Sequence, residues 1–261
     1  MDLGLSSKTA LVLGGGGGLG GAIAAALGRE GAKIAVADLD PKGLGRSAAA
    51  VKAAGAEVIE LQWDLADLSV IDSKVSEIEQ HFGPVDILMA NTGGPPPTPA
   101  AGQSPDLWLR NFQMMVLSVI SIADRVLPGM KARRWGRIIT GTSSGVVSPI
   151  PNLAISNALR LSLVGWSKTL AREVAKDGIT ANVVLPGRIA TDRIQFLDEA
   201  KAKRESKSLD AVVAESTATI PVGRYGNPSE YADVVTFLAS ERASYVTGSI
   251  VRIDGGLIAS I

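Results

Sequence analysis

The chain has 261 residues, with 26 basic and 26 acidic side chains, no cysteine and one histidine. Balanced charge gives no electrostatic footprint for nucleic acid or an anionic membrane, and the missing cysteine excludes disulfides and thiolate metal sites. The single histidine, His81, nearly excludes histidine triads and histidine metal clusters.

The first predicted element is a buried strand over residues 8–13. It runs into Gly14-Gly15-Gly16-Gly17-Gly18-Leu19-Gly20, after which Leu19, Ile23, Ala26 and Leu27 fall at helical spacing over residues 20–29. A glycine turn that ends a strand and opens a helix brings backbone N–H groups and the positive helix end to one point, which is a phosphate-binding device. Each glycine frees the unfolded chain by about 0.4–1 kcal/mol relative to alanine, so five in a row call for a function. A flexible linker is the bland alternative, but polar sequence would then flank the run. The next strand, 33–38, closes on Asp38. A carboxylate there can accept from an adenosine ribose diol and repels a 2′-phosphate, and the glycine run holds no arginine or lysine, which predicts NAD over NADP. A solvated strand-end carboxylate is the competing reading.

A helix over 42–54 and a strand over 57–62 lead to Asp64-Leu65, where the carboxylate either accepts from an adenine amino group or caps the following helix, 68–82. His81 is expected in the last turn of that helix. Strand 85–90 opens into Gly93-Gly94-Pro95-Pro96-Pro97-Thr98-Pro99, a stiff loop at the ligand-binding edge. Helix 104–131, strand 136–142, helix 152–176 and strand 179–185 follow. The charge-rich helical stretch 191–219 reads as a solvated excursion or as a lid over a substrate site. Helix 229–239 and strand 249–253 complete the chain. This alternation predicts an α/β fold: one Rossmann-fold domain over 1–261, a doubly wound seven-stranded parallel sheet flanked by helices, with a lid insertion (191–219) after strand 6. Ligands then bind beyond the carboxyl ends of the strands, at the switch point of strand order. With no apolar run of membrane-span length and no signal peptide, a cytoplasmic location without membrane partners is expected.

Together these segments resemble the short-chain dehydrogenases/reductases, over essentially the whole chain. Gly14-x-x-x-Gly18-x-Gly20 is similar to the nucleotide turn of that family, although the glycines also allow the register Gly15-x-Gly17-x-x-Gly20. Asp64-Leu65 resembles its adenine contact. The segment 86–94, with Asn91-x-Gly93, resembles its fourth strand and turn. Pro186-Gly187-Arg188-Ile189-Ala190-Thr191 resembles the segment that holds the nicotinamide carboxamide, and 246–256 resembles the last strand. Within the family the β-ketoacyl carrier-protein reductases look most similar. The resemblance implies an oxidoreductase using NAD(P) on a small-molecule carbonyl or alcohol. It places cofactor contacts at Gly14, Gly18, Leu19, Gly20, Asp38, Asp64, Leu65, Asn91, Gly93, Pro186, Gly187, Ile189 and Thr191. It also implies a homotetramer or homodimer in which helices 104–131 and 152–176 pack between subunits, a role that Val116, Leu117, Leu163 and Val164 fit as well as they fit core packing.

The family's chemistry rests on Asn, Ser, Tyr and Lys, and here the chain departs. Ser143 aligns with the serine, Ser156 stands where the tyrosine belongs, Arg160 where the lysine belongs, and Met115 at the asparagine position. The catalytic candidates are therefore Ser143, Ser156 and Arg160. An aliphatic hydroxyl is a far weaker acid than a phenol, and an arginine does not give up its proton. The three tyrosines, Tyr225, Tyr231 and Tyr245, lie beyond the lid stretch and read as structural. Arg160, Arg188 and Arg193 around the vacated tyrosine position would favour an anionic substrate; the alternative pairs Arg188 and Arg193 with Asp192 or Asp198. Three functions compete: an oxidoreductase with weak or altered chemistry, a dinucleotide-binding or sensing protein without turnover, and a non-redox enzyme acting on an anion.

Overall fold

The computed structural model describes residues 2–261. Seven strands form one parallel sheet: β1 (Thr9–Leu13), β2 (Lys33–Asp38), β3 (Val58–Gln62), β4 (Ile87–Ala90), β5 (Gly136–Gly141), β6 (Ile179–Pro186) and β7 (Ile250–Ile253), in the order β3-β2-β1-β4-β5-β6-β7. The expected doubly wound sheet is present. Strand order reverses between β1 and β4, so a crevice opens beyond the carboxyl ends of these two neighbours.

Both faces of the sheet are covered because its central strands are apolar on both sides. Ala10 and Val12 of β1 point to a layer made by α1 (Gly18–Arg29), α2 (Pro41–Ala53) and α9 (Pro228–Ala239), with Ile23, Leu27, Val51 and Val235 in that core. Leu11 and Leu13 point to the opposite layer, where α3 (Ile71–Phe82), α5 (Ser118–Arg133) and α6 (Ala154–Val174) contribute Val75, Ile78, Val119, Ile122 and Leu163. His81 lies in the last turn of α3, as its sequence position indicates.

Two details differ from the sequence-based expectation. The helix expected over 104–131 is α4 (Pro105–Phe112), capped by Ser104 Oγ, then a π-helical turn over Gln113–Leu117, then α5. The continuous run Pro105–Arg133 spans 29 residues and holds an 18-residue window with a mean hydropathy of 1.2, which by length and composition suffices for a membrane span, contrary to the expectation that no such run exists. Its apolar stripe, including Met115, Val119 and Val126, instead packs in the sheet core, while Arg125 on the far side binds Asp72 and Glu79 of α3. Of the residues weighed between subunit contact and core packing, Val116 and Leu163 are core residues, and Leu117 and Val164 keep partial exposure. The stretch after β6 forms α7 (Asp192–Glu205) and α8 (Leu209–Ala218).

The glycine turn is held by contact, not by composition alone. A Cβ on Gly20 would lie 2.1 Å from the Gly14 carbonyl oxygen, whereas one on Gly17 would meet nothing closer than 3.4 Å. Gly20→Ala is therefore expected to cost about 3 kcal/mol or more in urea unfolding and Gly17→Ala under about 1 kcal/mol; equal losses would contradict this packing.

Candidate active site

One cleft of about 540 Å³ opens at the carboxyl edge of the sheet. Every candidate residue taken from the sequence lines it except Gly20, which is consumed in closing the turn. Gly14, at φ +60°, lies so close to Asn91 that a Cβ there would come within 2.7 Å of the Asn91 carbonyl oxygen; a Cβ on Gly18 would come within 2.9 Å of Thr191 Cγ2. The glycine turn is thus pressed between the Asn91 turn and the start of α7. Gly18, Leu19 and Gly20 are the first residues of α1, where helix geometry leaves N–H groups without intrahelical acceptors.

Asp38 is fastened at the rim. Its Oδ2 accepts from Gly16 N and its Oδ1 from Asp40 N, both at 3.0 Å, which leaves further lone pairs toward the cleft. It is bound to the glycine turn, not freely solvated. Asp64 Oδ1 accepts from Ala66 N at 2.9 Å, a local turn-capping bond, and Asp64 and Leu65 both face the cleft. At the far side, Gly187 sits so near Asp254 that a Cβ would approach its Cα to 2.6 Å. Ala190 N donates to Gly226 O at 2.8 Å, and Thr191 Oγ1 caps α7. Segment 186–191 is therefore anchored at both ends.

These cradles fit a dinucleotide: glycines where a Cβ would intrude, open helix N–H groups, and a carboxylate with unused acceptor capacity.

The other end of the cleft is built around Arg160. Its guanidinium is buried and donates to Gly141 O (3.2 Å), Thr92 O (3.1 Å), Gly93 O (2.9 Å) and Ser156 Oγ (3.3 Å). It therefore joins the ends of β4 and β5 to α6 through four of its five N–H bonds. Burial, and then the neighbouring Arg193, push its pKa down to about 10, so its charge persists through neutral pH. Arg193, whose pKa is likewise lowered by burial, donates to Pro95 O at 2.7 Å. The two guanidinium groups flank Gly94. A Cβ there would lie 3.1 Å from Arg193 Nη2 and 3.7 Å from Arg160 Nη2, and among the described residues neither arginine is paired with a carboxylate. Two like charges placed this way repel each other, and the lowered pKa of Arg160 partly reflects it.

Arg188 does not join them. It pairs with the buried carboxylate of Asp198, whose Oδ2 also accepts from the Tyr225 hydroxyl at 2.8 Å, so the alternative pairing to Asp198 holds for Arg188 and not for Arg193. Ser143 Oγ accepts from Gly145 N at 3.1 Å and faces the cleft. Met115 is wholly buried outside the cleft, and its neighbour Met114 lines it instead. None of the three tyrosines lines the cleft: Tyr225 serves Asp198, Tyr231 is buried in the core, and Tyr245 is fully exposed, which corrects its reading as structural.

Sequence reasoning missed the main-chain acceptors of Arg160 and the clamp at the proline loop. There, Thr98 N donates to Asn152 O (2.7 Å) and Ala154 N to Thr98 O (3.3 Å), tying loop 93–99 to the start of α6. The only available signal was the run of prolines.

Residues 15–258 match the family described as Enoyl-(Acyl carrier protein) reductase. The 3-oxoacyl-[acyl-carrier-protein] reductase FabG of Pseudomonas aeruginosa is 36% identical over 258 residues, covering 98% of this chain and 99% of that protein. This chain belongs to the short-chain dehydrogenase/reductase family. Among solved structures, L-sorbose reductase from Gluconobacter frateurii, complexed with NADPH and L-sorbose, superposes with a TM-score of 0.94 at 31% identity and covers both chains fully. NAD+-bound xylitol dehydrogenase superposes at 0.90 with 27% identity, covering 97% of this chain and 99% of the other.

In this short-chain dehydrogenase/reductase the cleft offers two serine hydroxyls and a fixed cation, but no phenol. Removing the cation would strand three carbonyls and leave a cavity. Arg160→Ala is expected to lower stability by about 3–5 kcal/mol in denaturant unfolding, with Arg160→Lys recovering less than half, since one ammonium cannot span the four acceptors. A loss below about 1 kcal/mol for Arg160→Ala would contradict the clamp.

Proposed function

We propose that this protein is an NAD(H)-using oxidoreductase for a carbonyl or alcohol of a small anionic molecule, with its proton step altered from the family pattern. The observation that carries this reading is the convergence of the glycine turn, Asp38 and segment 186–191 on one cleft. In it, Gly14, Gly18 and Leu19 cradle the pyrophosphate, with Gly20 closing the turn behind them, and Asp38 accepts from the adenosine ribose. Asp64 and Leu65 border the adenine, while Asn91, Gly93, Pro186, Gly187, Ile189 and Thr191 border the nicotinamide and its ribose. The nicotinamide, when bound, supplies or accepts a hydride.

Ser143 hydrogen-bonds the reacting oxygen and stabilises charge developing there. Ser156 is too weak an acid to replace a phenol, and Arg160 keeps its proton while its positive field favours an oxyanion. The proton then comes from solvent or from the substrate. Loss of a positioned acid lowers the rate by about 10²–10⁴-fold. The changed positions also favour a second reading, a dinucleotide-binding protein without turnover. It differs by showing no NADH oxidation on any carbonyl, and no further loss in Ser143→Ala. By family, the assembly is a homotetramer or homodimer and its location cytoplasmic; light scattering reads the former directly.

The solved relatives include both NADPH and NAD+ complexes, and it is the Asp38 carboxylate that supports NAD(H) here. Calorimetry is expected to show NADH binding at least about 10-fold tighter than NADPH, with the gap shrinking to within about 3-fold in Asp38→Ala. Tighter NADPH binding would reverse the cofactor assignment, and no nucleotide binding would remove the whole reading.

A further inference from the structure

Five cationic side chains line the cleft, and three are paired with carboxylates. Arg188 is paired with Asp198, Lys201 with Glu215 at 3.2 Å, and Arg204 with Glu205 at 3.1 Å. Arg160 and Arg193 keep their charge uncompensated beside Gly94. Their free donors differ in kind. Arg160 has one Nη1–H left after its four bonds, whereas Arg193, bonded only to Pro95 O, keeps most of its fork. The Ser156 hydroxyl accepts from Arg160 and retains its own proton to donate.

The walls at this end are of opposite character. Pro97, Ile150, Pro151, Leu153, Ile194 and Leu197 give aliphatic surface, and the exposed Asp192 carboxylate stands at the first turn of α7. A polyol set against these walls would leave hydroxyls without partners, which is costly, while an apolar body buries surface favourably.

Resting on the oxidoreductase reading above for the site as a whole, we propose that this end of the cleft binds a carboxylate carried on an apolar skeleton, through Arg193 and the free Arg160 N–H. A carboxylate has about four acceptor positions, which this small donor set can fill. A phosphate dianion, with three strong acceptor oxygens, would be left short of partners. The planar fork of Arg193 also matches carboxylate geometry. The ligand class differs from L-sorbose and xylitol, the compounds named for the two solved relatives above, although the fold is the same.

The test is calorimetric titration of the NADH-saturated protein, with NADH binding established first, so that failure of the cofactor reading is seen separately. Benzoate and hexanoate are compared with benzyl alcohol, hexan-1-ol, gluconate, L-sorbose and phenyl phosphate. The proposal predicts that benzoate and hexanoate bind at least about 10-fold tighter than each of the others. Arg193→Met is expected to erase that advantage while its NADH affinity, the control for folding, stays within about 3-fold of the parent. Arg193→Lys is expected to keep a reduced preference for carboxylate over alcohol. Equal binding of acids and alcohols, tighter binding of gluconate, sorbose or phenyl phosphate, or an undiminished preference in Arg193→Met would overturn it.

Discussion

A buried guanidinium bonded to three main-chain carbonyls organises the functional edge of this molecule. In a parallel sheet the carboxyl ends of the strands leave carbonyl groups without ladder partners, and such groups need donors when buried. Arg160 supplies them to Thr92 and Gly93 after β4 and to Gly141 at the end of β5, and reaches both from α6. The crevice beside the switch point therefore has a fixed floor. The same interaction spends the residue: a cation with four of its five N–H bonds committed is static charge, and it cannot relay protons as a tyrosine–lysine pair does.

The pyrophosphate and adenosine end of the cleft stands apart from this floor. Its geometry depends on Gly20 closing against Gly14, on Gly18 meeting Thr191, and on Asp38 holding Gly16 N, none of which involves Arg160. Loss of the phenol therefore leaves the dinucleotide cradle intact. What changes is the chemistry above it: a serine stands at the tyrosine position and a buried arginine at the lysine position, with the uncompensated Arg193 beside them.

How much of this was legible in the sequence follows from the range of the interactions. The strand–helix alternation and the glycine turn are local, so the parallel sheet and the cofactor-side residues of the cleft could be placed from residue types. Arg160 as a clamp could not, because main-chain carbonyls carry no residue-type signature and its acceptors lie 19 to 68 positions away. Arg188 looked like a site cation until Asp198, ten residues on and buried by α7, took it. Met115, at the asparagine position, lies in the core within the π-helical turn Gln113–Leu117, and its neighbour Met114 lines the cleft instead. The hydropathy of Pro105–Arg133 likewise reflects a core stripe, which composition alone does not distinguish from a membrane span.

The central claim is that nucleotide binding and proton relay have been separated in this cleft. Its most direct test is the double variant Ser156→Tyr/Arg160→Lys, titrated with NADH and then assayed for NADH oxidation against a panel of ketones. The account predicts NADH affinity within about 3-fold of the parent and a turnover gain of about 10²-fold or more. Loss of NADH binding in the double variant, or a parent that already turns over as fast, would contradict it.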